Sequence, residues 1–290
     1  MDIGYPVLNC IDCSHRFCRI DVSGDHVTRE FGDDYFKGSG TSGYADYLAS
    51  EAILRRHGER YARLIKPYID LPPRTETRSR LLDVGCAAGM IMQGFEAAGW
   101  SVTGIDPNQS MIEYARGLGL DAHRGTLETV STVNGLNIPD DGFDLVVLIQ
   151  VIAHLHNLPE AVIELSRLVR PGGLVLIETW DSNSLTARVL GQYWHEYSPP
   201  NVLHYFTRRS LDVLMWQAGF RRRALGRPRK RISVEHACSL VDYKYGNSII
   251  GKTLLSVSRL LPAGFAIPYP SEDLFWALYQ REGLEGTHLV

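Results

Sequence analysis

Short runs of aliphatic and β-branched residues alternate with amphipathic stretches between residues 80 and 180. The apolar runs lie at residues 80–85, 101–106, 120–125, 143–151 and 173–180. The last two runs are almost unbroken in Val, Leu and Ile, which is typical of strands that are buried on both faces of a sheet. This alternation predicts an α/β fold in which crossover helices join the strands of a parallel sheet.

Glycine or proline ends each amphipathic stretch between these strands. The predicted helices cover residues 90–99, 108–119 and 158–171. Before the first strand, residues 50–65 predict a helix that packs on the sheet or covers its open end. Its apolar face comprises Ile53, Leu54, His57, Tyr61, Leu64 and Ile65. Near the end of the chain, residues 235–262 predict helix and residues 272–282 predict a last strand.

The composition is that of an ordinary globular protein, with 290 residues, 44% hydrophobic and 22% charged. A formal net charge of −3 argues against general binding to polyanions. No apolar run has the length of a membrane span, and the first ten residues lack the basic and apolar regions of a secretion signal. Five cysteines are an odd number for a disulfide framework, so we expect a reduced, cytoplasmic protein.

The clearest chemical signal is the sequence LLDVGCAAGM at residues 81–90. Asp83 comes near the end of a predicted strand, and Gly85 and Gly89 allow the backbone to approach a ligand closely. Asp106 ends the next predicted strand, where an acidic side chain binds the hydroxyl groups of a ribose in nucleotide-binding sheets. The two carboxylates are therefore expected at the same edge of the sheet.

Two classes of cofactor compete for this site, one with phosphate groups and one without. The fingerprint of nicotinamide and flavin sites would need glycine at positions 85, 87 and 90, but this chain has Ala87 and Met90. A phosphate beside Asp83 would also bring like charges together. S-adenosylmethionine carries a ribose and a positive centre without phosphate, and so fits both acids better. The alternatives are simple turn chemistry at the glycines and a helix cap at Asp106.

Four ordered segments resemble the class I S-adenosylmethionine-dependent methyltransferases. LLDVGCAAG resembles their first motif, and VTGIDPNQSMIEYAR resembles their second, with Asp106 at the ribose position. GTLETV at 125–130 is similar to the stretch beside the adenine, and FDLVVLIQVIAHL with RLVRPGGLVLIET resembles their fourth and fifth strands. The resemblance covers roughly residues 78–220, and residues 272–282 match more loosely. It implies a doubly wound, mostly parallel seven-stranded Rossmann-like sheet with an N-terminal helical cap and a C-terminal antiparallel strand.

The same resemblance implies the cofactor-binding residues. Asp83, Gly85 and Gly89 would shape the methionine end, Asp106 would bind the ribose, and Ile149 and Gln150 would border the reacting methyl group. The full set is Asp83, Gly85, Cys86, Ala87, Gly89, Asp106, Pro107, Met111, Thr126, Leu127, Ile149 and Gln150. Ala87 replaces the common middle glycine of the family, and Thr126 stands where the family often has Asp or Asn.

A hydroxyl acceptor needs a base, and histidine is the usual one near neutral pH. His154 and His156 follow the fourth predicted strand, although a structural role is favoured for His154. The aromatic segment 192–211 resembles a segment of one methyltransferase subgroup, whose histidine falls on Val202 here. This segment supplies the other candidate bases, His195, His204 and Tyr197, and the candidate substrate residues Tyr193 and Tyr205. By resemblance, Tyr44 and Tyr47 would close the site.

LNCIDCSHRF at residues 8–17 resembles half of the zinc ribbon found at the start of some sugar and natural-product methyltransferases. Cys10 and Cys13 have ribbon spacing, but the first cysteine pair of a four-ligand site is missing. We therefore favour a decayed ribbon or ordinary thiols over zinc. Seven basic residues within 221–231 could capture an acidic group, although a solvated strand edge is the preferred interpretation.

The resulting prediction is an S-adenosylmethionine-dependent methyltransferase that acts on a sugar-like or ring-bearing small molecule, at oxygen, with a His or Tyr base. The alternatives are a C-methyltransferase for a nucleotide-linked sugar, an RNA methyltransferase, and a non-catalytic partner protein. Nucleic-acid and membrane partners are not expected, and a homodimer is one option. Residues 1–70 would form the ribbon remnant and cap, and residues 71–290 the methyltransferase domain, with an insertion around 232–270.

Overall fold

A computed structural model describes residues 5–20, 26–37, 47–69, 78–136, 138, 142–234, 238, 266–269 and 271–283. Its strands, in chain order, are β1 (Val7–Asn9), β2 (Arg16–Cys18), β3 (Arg80–Val84), β4 (Ser101–Asp106), β5 (Asp121–Arg124), β6 (Phe143–Ile149), β7 (Val169–Trp180), β8 (His204–Tyr205), β9 (Phe220–Gly226), β10 (Arg231–Ser233), β11 (Ala266–Pro268) and β12 (Leu274–Arg281). Its α-helices are α1 (His26–Glu30), α2 (Asp33–Lys37), α3 (Glu51–Ile65), α4 (Met90–Ala97), α5 (Gln109–Gly117), α6 (Leu158–Leu168), α7 (Leu185–Leu190) and α8 (Arg208–Gln217).

The central sheet has seven strands in the order β5-β4-β3-β6-β7-β12-β9. The five strands from β5 to β7 are parallel, while β12 pairs antiparallel with both β7 and β9. The strand order reverses between β3 and β6, and ligands bind at such a point in open α/β sheets. The predicted doubly wound sheet with its antiparallel C-terminal strand is confirmed.

Helices cover both faces of the sheet. On one face α3, α4 and α5 contribute Ile65, Phe95 and Ile112 to a buried cluster. On the other face α6 and α8 contribute Leu165 and Leu211. Because both faces are covered, β6 has buried residues at nearly every position, as its unbroken apolar sequence indicated.

Two glycines bring α3 and α4 unusually close together. A Cβ atom at Gly94 would collide with the backbone of Arg55, and one at Gly58 would collide with the backbone of Ile91. The helix predicted at residues 50–65 therefore packs tightly against α4, and both helices contribute to the same buried cluster on this face of the sheet.

The boundary between α6 and β7 differs from the sequence prediction. The helix was expected to reach Pro171, but it ends at Leu168, and the strand already begins at Val169. Proline lacks an amide donor and disfavours helical geometry at the residue before it, so Arg170 and Pro171 are extended. Val169 pairs with Phe143, and a register shift follows in β6.

The N-terminal segment adds a second, three-stranded sheet in which β1, β2 and β8 are antiparallel neighbours. The predicted helix at 235–262 lies outside the described residues, apart from Cys238. Within the described ranges, no helix is both long enough and apolar enough to cross a membrane.

Candidate functional site

Two buried carboxylates lie at the carboxyl ends of the neighbouring strands β3 and β4. Asp83 is 2% exposed and Asp106 is 5% exposed. The two strands pair directly, with Asp83 opposite Gly104. Both acids therefore lie at the edge of the sheet where a parallel α/β fold binds its ligands.

Asp106 holds the loop that follows β3. Its Oδ2 atom accepts a hydrogen bond from the amide of Ala87 at 2.9 Å, and its Oδ1 atom accepts one from the amide of Asn108 at 2.8 Å. Burial raises the pKa of Asp106 to about 6, and these two donors oppose the rise. Since a carboxylate has about four acceptor positions, hydroxyl groups of a ligand can still bind it.

Asp83 has a different electrostatic environment. Its Oδ2 atom is buried and accepts no hydrogen bond from the described residues. Burial, followed by the negative charge of Asp106, raises the pKa of Asp83 to about 8. A buried carboxylate without a partner is costly, so a positively charged ligand at this point would stabilise the ionised form.

The backbone around these acids has left-handed geometry at several positions. Gly85 has a φ of 71°, and a Cβ atom there would collide with the side chain of Val151. Ala87 and Gln150 are not glycines, yet their φ angles are 46° and 62°. Strained backbone of this kind concentrates at functional sites.

A single cavity extends from the two acids to the N-terminal helices. Its polar lining includes Asp83, Asp106, Thr126, Glu128, Gln150, His57, His154, His156 and Lys230. Gly85, Cys86, Ala87, Pro107, Leu127 and Ile149 also line it. Most of the predicted cofactor residues therefore meet in one place.

Four aromatic residues from the N-terminal part of the chain line the cavity, and we call them the aromatic wall: Phe31, Tyr35, Phe36 and Tyr47. Successive rings meet edge to face, with centroids 5.1–5.4 Å apart. Asn108, at the start of α5, donates from Nδ2 to the carbonyl of Phe31 at 3.1 Å. The aromatic wall is thereby tied to the strand end that carries Asp106.

A family model described as a methyltransferase domain matches residues 54–225, which is more than half of the chain. The chain belongs to this methyltransferase family. The match includes strands β3 to β8, most of β9, and the two acids at the ends of β3 and β4. The predicted family, and with it the S-adenosylmethionine cofactor of this enzyme class, is confirmed.

Two curated relatives of this methyltransferase are ubiquinone biosynthesis O-methyltransferases. The protein from Alkalilimnicola ehrlichii is 30% identical over 155 residues, which cover 48% of this chain and 63% of the relative. The protein from Rhodopseudomonas palustris is 32% identical over 104 residues, which cover 36% of this chain and 41% of the relative. The chain thus spans less than two thirds of the length of these relatives.

Among solved structures, the YcgJ protein from Bacillus subtilis superposes with a TM-score of 0.53 at 14% identity. The superposition covers 79% of this chain and 99% of that one. At this identity the likeness concerns the fold alone.

The site residues of this methyltransferase fit the cofactor in charge and shape. The buried Oδ2 atom of Asp83 matches a positive group, Asp106 matches hydroxyl groups, and Gly85 lines the cavity beside them. Leu127 lines the cavity at the start of a 3-10 turn that is capped by Thr126.

Two predicted cofactor residues do not line the cavity. Gly89 caps the start of α4 with a φ of 78°, and its missing side chain leaves space for Leu120 instead. Met111 packs behind the loop, in a buried cluster with Ala87 and Ala88. Both residues therefore pack against neighbouring side chains and do not face the cavity.

Of the predicted bases, His154 and His156 both line the cavity, and His156 pairs with Glu128. The contacts of His154 suit a base. Its Nδ1 atom donates to the carbonyl of Asn201 at 2.9 Å, which leaves Nε2 as the unprotonated nitrogen. Burial lowers the pKa of His154, so the ring stays neutral near pH 7. The ring also meets Phe31 of the aromatic wall edge to face at 5.2 Å.

His204 and His195 are placed elsewhere. His204 Nδ1 lies 3.1 Å from Nε2 of His15, and its Nε2 atom donates to the carbonyl of Leu155 at 3.0 Å. Burial lowers the pKa of His204 to about 3. The ring of His195 contacts Trp180 edge to face at 4.5 Å, and its Nδ1 atom lies 3.7 Å from Asp273. Neither histidine is among the described residues that line the cavity.

The tyrosines of the same segment are also outside the cavity. Tyr193 is 72% exposed. The rings of Tyr197 and Tyr205 lie 5.2 Å apart, and the hydroxyl of Tyr205 donates to the carbonyl of Val202 at 3.1 Å. Of the two tyrosines predicted near the cap, Tyr47 lines the cavity, and Tyr44 lies outside the described residues.

Three polar groups in the cavity were missed by the sequence analysis. Glu128 accepts from the amide of His156 at 3.0 Å and also pairs with its Nδ1 atom at 2.9 Å, and this contact raises the pKa of His156. Lys230 and His57 enter from a loop and from α3. Glu128 follows the predicted cofactor residue Leu127, so the sequence could have placed it in the cavity. No feature of the sequence around Lys230 places that residue beside the sheet.

Two further predictions concern the surface. Arg221, Arg222 and Arg223 lie on β9 at the edge of the sheet and contact Glu282, Asp212 and Gln280, as the preferred interpretation of a strand edge implies. Cys10 and Cys13 lie in the turn of the β1–β2 hairpin, and all five cysteines are free thiols. Across the described part of the chain, no group of three or more His, Cys, Asp or Glu residues is placed to hold a metal ion. The ribbon remnant and the homodimer stay predictions.

Proposed function

We propose that this methyltransferase transfers a methyl group from S-adenosylmethionine to a hydroxyl group on a small, ring-bearing molecule. The observation that carries the proposal is the lining of one cavity. It joins the acids at the ends of β3 and β4, the aromatic wall, and an imidazole whose Nε2 atom is unprotonated.

On the cofactor side, we assign the ribose hydroxyl groups to Asp106 and the ammonium group of the amino-acid part to Asp83. Thr126 and Leu127 border the adenine, and Ile149 and Gln150 lie beside the reacting centre. S-adenosylmethionine supplies an electrophilic methyl group when bound. The protein then has to orient the acceptor and exclude water, because alignment of the reacting atoms lowers much of the barrier.

On the acceptor side, the aromatic wall favours a planar ring, since aromatic faces with a few polar groups define pockets for such ligands. The names of the curated relatives support an O-methylated ring as product, because they are O-methyltransferases of ubiquinone biosynthesis. Tyr47, buried in the aromatic wall, is the predicted substrate residue that the cavity retains.

We assign the general base to His154. The carbonyl of Asn201 fixes the proton on Nδ1, so Nε2 can accept the proton of an acceptor hydroxyl. Burial keeps the imidazole neutral and therefore able to act as a base at pH 7. His195, His204 and Tyr197 have no part in this step, because their contacts lie outside the cavity.

The proposal keeps the division into an N-terminal cap within residues 1–70 and a methyltransferase domain within residues 71–290. In this arrangement the cap supplies the aromatic wall and the domain supplies the acids and the base. Five free thiols agree with a reduced, cytoplasmic setting.

The decisive experiment uses cofactor with an isotope-labelled methyl group and a metabolite extract of the host. We expect one small ring-bearing molecule to gain the label as an O-methyl ether, identified by mass spectrometry. The variant Asp106→Asn gives the background. Label in RNA, or label on carbon of a nucleotide-linked sugar, would replace this proposal with one of the alternatives.

A further inference from the structure

Lys230 brings an ammonium group into the cavity that holds Asp83 and Asp106. Among the described lining residues, Asp83, Asp106 and Glu128 are acids, and Lys230 is the lysine. It follows β9 in the chain and lies beyond residues 54–225, so the family pattern does not include it. The role assigned to Asp106 and Asp83 leaves this lysine without a function.

A buried network holds Lys230 in place. Its Nζ atom lies 3.1 Å from Oε1 of Glu178, whose side chain is fully buried near the end of β7. The same carboxylate accepts from Nε2 of Gln150 at 2.8 Å and from the hydroxyl of Tyr61. Three donors from α3, from the β6 loop and from the loop after β9 thus converge on one acid, and the ammonium group is positioned rather than mobile.

The register of the sheet puts this network on the same face as Asp83. Asp83 lies opposite Val147, and Ile149 lies opposite Glu178. Val147 and Ile149 are two residues apart on β6, so their side chains point to the same face of the sheet. Paired residues of neighbouring strands also share a face, and therefore Asp83 and Glu178 point to that face as well. Since β3 and β7 are separated by β6 alone, their backbones lie about 10 Å apart. Asp83 and Lys230 therefore line the same cavity from the same face of the sheet.

We propose that Lys230 binds the carboxylate of the methionine part of the cofactor, while Asp83 binds its ammonium group. This inference rests on the proposed function. An ammonium group has three N–H donors, so one can remain on Glu178 while another binds a ligand carboxylate. The assignment makes Lys230 a cofactor-binding residue of this chain.

The neighbouring histidine cannot replace the lysine as the cation. Nε2 of His57 accepts from the amide of Arg231 at 3.3 Å, which ties α3 to the segment that carries Lys230. Burial, followed by the charges of Lys230 and Arg60, lowers the pKa of His57 to about 3. His57 is therefore neutral, and it positions the loop without supplying charge.

The test compares two ligands in isothermal titration calorimetry. S-adenosylhomocysteine carries the amino-acid part, and 5′-methylthioadenosine lacks both its ammonium and its carboxylate. The variant Lys230→Gln removes the charge and keeps an N–H donor for Glu178. We expect it to weaken S-adenosylhomocysteine binding by about 10- to 100-fold and to change 5′-methylthioadenosine binding less than twofold. Lys230→Arg, which keeps the charge, should recover most of the affinity.

Arg223→Gln is the matched control, because it removes one positive charge from the exposed edge strand β9. It should leave the affinity for both ligands unchanged. Equal losses for both ligands in Lys230→Gln, or no loss for either, would overturn the assignment of the carboxylate to Lys230. A wild-type protein that binds neither ligand would instead contradict the proposed function.

Discussion

Two polar regions of this methyltransferase are held together over very different distances along the chain. At the ends of β3 and β4, Asp106 bonds to the amides of Asn108 and Ala87, which are 2 and 19 residues away. In the segment that leads to β8, Trp194 bonds to Asp273 and His204 contacts His15, which are 79 and 189 residues away. The first region is built from its own loops, and the second depends on docking with distant segments.

This difference explains which side chains reach the cavity. A side chain at the end of a parallel strand has its position set by the strand and the turn that follows. Side chains of an irregular segment turn towards whichever distant groups satisfy their polar atoms. His204 therefore contacts the N-terminal hairpin at His15, His195 contacts Asp273, and the rings of Tyr197 and Tyr205 contact each other.

The largest expected effect separates His154 from His195. His154→Asn keeps a donor for the carbonyl of Asn201 and removes the Nε2 base, so kcat for the acceptor should fall by about 10²- to 10⁴-fold. His195→Gln, the matched change in the other region, should leave kcat within about threefold, because that ring contacts Trp180 and Asp273. Initial rates with the identified acceptor measure both. The reverse ranking would move the base back to the segment before β8.

A smaller effect is expected for Asp106→Asn. The variant loses the charge and one acceptor at the ribose position, so binding of S-adenosylhomocysteine should weaken by about 10- to 100-fold in calorimetry. Asp121→Asn changes a half-exposed carboxylate on the neighbouring strand β5 and serves as control. Similar losses in the two variants would mean that the effect is not specific to the end of β4.

The pKa of Asp83, raised to about 8 by burial and by Asp106, predicts a dependence of binding on pH. A ligand that carries an ammonium group favours ionised Asp83, so binding releases a proton below pH 8. Affinity for S-adenosylhomocysteine should rise by about 25-fold between pH 6.5 and 8.5. Calorimetry in buffers of different ionisation enthalpy detects the released proton. Asp83→Asn should bind more weakly and lose this dependence, and a pH-independent wild type would disprove the role of Asp83.

The smallest effect compares two hydroxyl groups of the segment around β8. Tyr205→Phe removes a buried hydrogen bond to Val202 and should lower the free energy of unfolding by about 1 kcal/mol. Tyr193→Phe removes a hydroxyl from a side chain that is 72% exposed and should change it by less than about 0.5 kcal/mol. Urea unfolding measures both. A drop in activity for Tyr193→Phe at unchanged stability would restore its predicted contact with substrate.

The sequence by itself determined the sheet, its crossovers and the cofactor end of the cavity. Strands buried on both faces need continuous apolar runs, and close approach to a ligand needs small residues, so both leave a local record in β6 and in the loop of Gly85. Asp83 and Asp106 were predictable because each lies at the carboxyl end of an apolar run, and the carboxyl ends of parallel strands meet at one edge of the sheet.

Only the tertiary structure decided which histidines line the cavity, and that Lys230 reaches Glu178 from a loop far along the chain. These positions depend on long-range pairings between β2 and β8 and between α3 and the segment that follows β9. No periodicity records such pairings, because they are fixed by the mutual satisfaction of buried polar groups after the elements have packed.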